Sequence, residues 1–208
     1  MNGPQHDSPG GLFAGVWVGV VTNNQDPEGL GRVKVSFPGL DFADESAWAR
    51  VATPMAGPGC GLYFLPEVDD EVLVLFEHGD LRRPYVMGAL WNGRDKPPAD
   101  NADGGNPVRL IRSRSGHVIR LDDTPGHERV EIADAHGDNR IVIDTAAGRI
   151  EITAAQDIVL KAPQGEIRLE ARAVSVKAQT QLGAESDGDM TLRADKAVVV
   201  QGRTVDIN

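Results

Sequence analysis

Ile119-Arg120-Leu121, Val130-Glu131-Ile132, Ile141-Val142-Ile143 and Ile150-Glu151-Ile152 are the triplets whose spacing decides the fold. In each, two aliphatic residues flank one other residue, which puts both on the same face of a strand and on different faces of a helix. Turn formers fill the intervals, as in Asp134-Ala135-His136-Gly137-Asp138-Asn139. Toward the C-terminus the pairs continue as Ile158/Leu160, Ile167/Leu169, Val174/Val176, Met190/Leu192, Val198/Val200 and Val205/Ile207. The step is 11 residues at first and then 7 to 9, with one longer gap around Leu182 that holds a weaker copy.

A strand with two aliphatic side chains gains too little burial to stand alone, so the repeat predicts stacked strands, each paired on both sides. Two architectures satisfy this pattern. One is a solenoid of a single chain with three strands per rung. The other is an intertwined trimer in which each layer takes one strand from each chain. The trimer is favoured because the 117 residues after Trp91 contain no aromatic ring, which suits a narrow threefold interior. The sequence also stops at Thr204-Val205-Asp206-Ile207-Asn208, inside a repeat and without a cap.

The first part of the chain differs. All ten aromatic residues lie between Phe13 and Trp91. Alternating stretches at Phe13 to Thr22, Leu30 to Phe37, Trp48 to Ala52, Gly61 to Leu65, Glu71 to Glu77 and Tyr85 to Trp91 predict five or six short strands and a small closed barrel. Asn92 to Pro107 has no apolar side chain larger than alanine or proline and reads as a linker. The expected division is a flexible N-terminus at 1–12, a barrel at 13–92, a linker at 93–110 and the strand repeat at 111–208. No helix is expected, so the class is all-β.

The 208 residues carry a net charge of -10, and the first 92 hold 5 Lys and Arg against 12 Asp and Glu. That balance disfavours nucleic acid, and aromatics stacked on a basic face are not expected. The single cysteine, Cys60, excludes an internal disulfide. With no basic and apolar leader, the chain is expected to be made in the cytoplasm without a signal peptide.

Ser113, Ser115, His117 and Asp122 hold the residue types of a nucleophile and its base, but Arg112-Ser113-Arg114-Ser115-Gly116 reads better as a turn, and no Gly-x-Ser-x-Gly elbow is present. His78, His117, His127 and His136 lack metal-ligand spacing, and Asp122-Asp123 and Asp134 to Asp138 read as turn aspartates. No cofactor is expected. One histidine per chain, brought to a threefold axis, is the remaining route to an ion there. A monomeric β-solenoid that binds or cleaves polysaccharide is the alternative function, and it would need exposed aromatics or convergent carboxylates on the shaft.

Gly31-Arg32-Val33-Lys34-Val35-Ser36-Phe37-Pro38, Ser46 to Gly57, Gly61 to Val74, Phe76 to Trp91, Arg112 to His117 and Ile119 to Asp123 resemble the contractile-tail central spike family. That family comprises the phage baseplate assembly protein V and the VgrG proteins of type VI secretion. The resemblance implies an oligonucleotide/oligosaccharide-binding (OB) fold barrel followed by a triple-stranded β-helix in an intertwined homotrimer. It implies a non-enzymatic, membrane-puncturing central spike of a phage tail, a tailocin, an extracellular injection particle or a type VI-like machine.

The family's large N-terminal hub domain is missing, so a separate hub protein is expected at the barrel end. A PAAR-repeat tip protein is expected at the other end, on Val205, Asp206, Ile207 and Asn208. The trimer core is expected at Ile119, Leu121, Val130, Ile132, Ile141, Ile143, Ile150, Ile152, Ile158, Leu160, Ile167, Leu169, Val174, Val176, Met190, Leu192, Val198 and Val200.

Overall fold

The computed structural model describes residues 15–38 and 45–206. The expected N-terminal segment 1–12, the start of the first predicted strand at Phe13, and Ile207 and Asn208 lie outside the described residues. Strands are the main element, with β1 at Val16–Asn23, β2 at Arg32–Ser36, β3 at Ala49–Val51, β4 at Ala56–Gly57, β5 at Cys60–Gly61, β6 at Glu71–Phe76 and β7 at Pro84–Ala89. After them come β8 at Val108–Arg112, β9 at Val118–Asp122, β10 at Arg129–Ala133, β11 at Arg140–Asp144 and β12 at Arg149–Thr153. One short 3-10 turn, Glu77–Gly79, joins β6 to β7.

The barrel closes in the order β1-β2-β3-β7-β6. Alternation fills it: Val33 and Val35 of β2, Val72, Val74 and Phe76 of β6, and Val86 of β7 point inward and are buried together with Val21, Phe37 and Ala49. The Phe37 and Phe76 rings meet at 5.6 Å between centroids. Gly19 occupies an inward position where the wall is too tight for a side chain, since a Cβ there would stand 2.3 Å from Cγ1 of Val35.

Five strands form the barrel. The stretch Gly61 to Leu65, read as a strand, contributes only Gly61, the last residue of the two-residue β5. Pro58-Gly59 turns the chain back so tightly that the amide of Leu62 donates to the Met55 carbonyl at 3.0 Å, and the rest of the stretch joins no strand, though Leu65 packs against the barrel core.

One carboxylate organises the β1–β2 turn. Asp26 accepts hydrogen bonds from the amides of Glu28, Leu30 and Arg32 at 3.0, 3.0 and 3.2 Å, and from the Arg32 guanidinium at 2.9 and 2.7 Å. The Arg32 guanidinium, aided by those amides, holds the Asp26 carboxyl well below its ordinary 3.8.

Strands β8 to β12 form a five-stranded antiparallel meander. β8 begins at Val108 and takes up the last three positions of the segment read as linker. Six-residue turns between five-residue strands account for the 11-residue steps from β9 to β11, and a four-residue turn shortens the step into β12 to nine. Up to Thr153 the strands therefore pair within one chain, whereas the sequence pattern suggested layers with one strand from each of three chains. Asp134 caps one turn, accepting from the Gly137 amide at 2.7 Å and from the Asn139 side chain.

The chain divides into two units, 1–153 and 154–208. In the second, no strand or helix is assigned among the described residues, and its apolar side chains are exposed. The shorter step of the repeat begins close to where in-chain pairing ends. Among the described residues, no helix is long and apolar enough to cross a membrane.

Two outcomes follow for the barrel. Gly19→Ala should cost about 1–3 kcal/mol of stability, because the added methyl forces Val35 out of place; an unchanged urea midpoint would contradict the tight contact. The folded Asp26 carboxyl sits below its ordinary value, so its contribution is complete above about pH 4 and is lost as the pH falls below that. Acid titration should therefore destabilise the native protein more steeply than Asp26→Asn, and equal slopes of urea midpoint against pH would remove Asp26 from this role.

Candidate functional site

The meander has two chemically opposite faces, fixed by its register. On one face Ile119, Ile132, Ile141 and Ile152 align across β9 to β12, and beside them runs the row Leu121, Val130, Ile143 and Ile150. Ile111 of β8 extends the first row, while Arg109 ends the second. On the other face Arg120 meets Glu131 at 3.6 Å, Arg129 meets Asp122 at 3.8 Å, Arg140 meets Glu151 at 3.3 Å and Arg149 meets Asp144 at 3.7 Å. These partly buried pairs are worth little singly, but together they match charges across neighbouring strands.

No described residue of unit 1 covers the aliphatic face fully. Ile119, Leu121, Ile132, Ile141 and Ile143 are 43–49% exposed, and Ile150 and Ile152 are 68% and 57% exposed. Val130 is half-buried. The predicted residues of the second unit, Ile158, Leu160, Ile167, Leu169, Val174, Val176, Met190, Leu192, Val198 and Val200, are exposed without exception. So is Val205 of the predicted tip, with Asp206 beside it. An uncovered aliphatic array of this extent marks an association surface.

The residues considered for catalysis are joined differently. Oγ of Ser113 lies 3.3 Å from Oγ of Ser115 and accepts from the backbone amide of His117 at 3.0 Å, so the histidine contributes its main chain to a turn. Asp122 accepts from the Thr124 hydroxyl at 2.6 Å and from its amide at 3.1 Å, which, with Arg129 nearby, lowers its pKa. Among the described residues, no three His, Cys, Asp or Glu side chains gather as a metal site, and Cys60 is exposed.

The barrel carries a feature the sequence reading missed. All five Lys and Arg residues of the first 92 positions lie around two half-buried rings, Trp48 and Tyr85. Arg32 and Lys34 stand 5.8 and 5.4 Å from the centre of the Trp48 ring, and Arg50 stands 5.6 Å from that of Tyr85. Arg82, Arg83 and Tyr85 border a groove of about 580 Å³ whose floor includes Leu30 and Val51.

Carboxylates match four of the five cations. Asp26 and Glu28 pair with Arg32, Glu45 pairs with Lys34 at 2.6 Å, Asp80 with Arg82 at 2.8 Å, and Glu77 with Arg83 at 3.5 Å. The Arg82 guanidinium draws the pKa of Asp80 down to about 2, and Lys34 lowers that of Glu45. The overall charge balance hid this local cluster. The signal lay in Arg32-Val33-Lys34-Val35 and Trp48-Ala49-Arg50, where inward Val and Ala alternate with outward cations and a ring.

Comparison with known proteins agrees with this architecture. Residues 17–91 match the family model described as the type VI secretion system/phage-baseplate injector OB domain. The chain is 30% identical over 116 residues to the type VI secretion system spike protein VgrG2a of Pseudomonas aeruginosa, covering 51% of this chain and 14% of that protein. It is 30% identical over 135 residues to the spike protein VgrG1a of the same organism, covering 56% and 20%. It is 32% identical over 120 residues to the spike protein VgrG5, covering 54% and 14%. The match thus spans no more than a fifth of the length of these three relatives. The motif resemblance holds: residues 17–91 match the injector OB domain, and about half of the chain is similar to VgrG spike proteins.

Proposed function

We propose that this protein is a homotrimeric central spike of a contractile injection machine, a part that transmits force and carries out no catalysis. The observation that carries the proposal is the one-sided aliphatic array of β9 to β12, continued by the exposed pairs from Ile158 to Val205. Eight aliphatic side chains on the sheet alone, already about half covered, would add roughly 6–12 kcal/mol per chain once fully covered, before entropy is subtracted. Three copies facing a common axis would cover them. The lack of rings beyond Trp91 fits such an axis, where a large side chain would meet two copies of itself.

From Ala154 onward no in-chain strand pairing is assigned among the described residues. Strands from the other two copies would supply the missing hydrogen bonds, which gives a triple-stranded β-helix. A shaft paired in this way resists bending and concentrates the thrust of the tube on a small area of target membrane. By the family resemblance, the barrel end would seat on a separate hub protein and residues 205–208 on a PAAR-repeat tip protein.

In solution the protein should have a mass near three times 22.2 kDa by light scattering with size exclusion. Ile143→Asp, which buries a charge at the proposed axis, should shift the population to monomer while the barrel stays folded; a monomeric native protein, or an Ile143→Asp variant still fully trimeric, would contradict the assembly. Deletion of Thr204 to Asn208 should leave the trimer intact and reduce binding of a PAAR-repeat protein by at least about tenfold in a pull-down titration. Undiminished binding would put the tip elsewhere.

A further inference from the structure

The charges of the barrel divide into two opposite regions with one unmatched group in each. The basic region is the face around Trp48 and Tyr85, where Arg50 alone of the five cations has no carboxylate within ion-pair distance among the described residues. Five of the barrel's described carboxylates serve that face. Of the other four, Glu67, Asp69 and Asp70 lie in the turn that leads into β6 and Glu71 is the first residue of β6.

Three of those four are engaged. Glu67 pairs with Arg114 at 3.0 Å, Asp70 accepts from the Glu67 amide at 2.9 Å, and Glu71 accepts from the Asn92 side chain at 3.4 Å. Asp69 has no side-chain partner among the described residues. It sits in the left-handed region at φ 76, held there by its amide, which donates to the Val21 carbonyl at 2.9 Å. Beside it Val68 is 46% exposed. The turn thus presents one free carboxylate and one aliphatic side chain. The groove presents one free guanidinium stacked on a ring, above the apolar side chains of Leu30 and Val51.

We propose that the barrels of the trimer pack head to tail, with Val68 and Asp69 of one copy entering the Arg50–Tyr85 groove of the next. The inference rests on the homotrimer proposed above and adds the contact between its barrels. A contact between two different patches of the same chain closes into a ring when repeated by a threefold rotation, and each copy then gives one carboxylate and receives one. No unmatched charge of this pair remains. Inside the groove the ion pair is shielded from water, so it interacts more strongly than a pair on open surface, and the rest of the face, already neutralised, adds no repulsion.

Disulfide trapping tests the contact. In a Cys60→Ser background, Arg50→Cys combined with Asp69→Cys should give covalent dimers and trimers on a non-reducing gel after mild oxidation, at least about tenfold more than either single-cysteine variant. Tyr85→Cys with Val68→Cys probes the same contact and guards against a local disturbance in the first pair, with circular dichroism reporting the fold of each. A protein that is trimeric by light scattering but forms no covalent product with either pair would overturn the head-to-tail contact and leave the trimer standing. A monomeric native protein would overturn both.

Discussion

The structure depends on one constraint: an aliphatic strand face must be covered, and among the described residues no second layer covers it. Alternate residues of β9 to β12 are Ile, Leu or Val without interruption, and the opposite positions carry charges paired across the strands. A sheet so divided cannot turn its apolar side to water at the scale seen here. Beyond Thr153 a second deficit joins the first, because the backbone groups of the continuing pairs lack strand partners in their own chain. The proposed association of identical chains about an axis would remove both deficits at once.

The two parts of the molecule therefore stand differently toward assembly. All nine buried hydrophobic side chains lie between Val21 and Val86, inside the barrel, which has a closed hydrogen-bonded wall and a core of its own. For the barrel, meeting another copy is docking between folded bodies. For residues 154–206 it is folding itself, since burial and strand pairing both come from outside the chain. Stability in the shaft thus depends on protein concentration in a way that stability in the barrel does not.

Much of this was written plainly in the sequence, and the parts that were not have physical reasons. The period-2 triplets gave the strands and their inner faces, and the change of step from 11 to 7–9 falls close to the end of in-chain pairing at Thr153. The longer step has room for a five-residue strand and a six-residue turn, which is the arithmetic of an antiparallel meander. That distinction was available and was passed over when the whole repeat was taken as one architecture.

Gly61 to Leu65 misled because its side chains have strand propensity, while the Pro58-Gly59 turn before it fixes a two-residue hairpin and Leu62 onward joins no strand.

The face around Trp48 and Tyr85 was hidden for a different reason. Composition counted twelve carboxylates against five cations and averaged over the barrel, but electrostatics acts over a few ångströms, and closure of the barrel brings Arg32 opposite Arg50 and Arg50 opposite Tyr85. Residues far apart in the chain become neighbours only through register, which no count of charges contains. The two like charges so placed are tolerable because Asp26 and Glu28 neutralise Arg32, and this leaves Arg50 as the cation whose counter-charge has to come from elsewhere. Among the described residues of the barrel one charge of each sign, Arg50 and Asp69, is left unmatched, and their separate places are set by the fold, which composition does not contain.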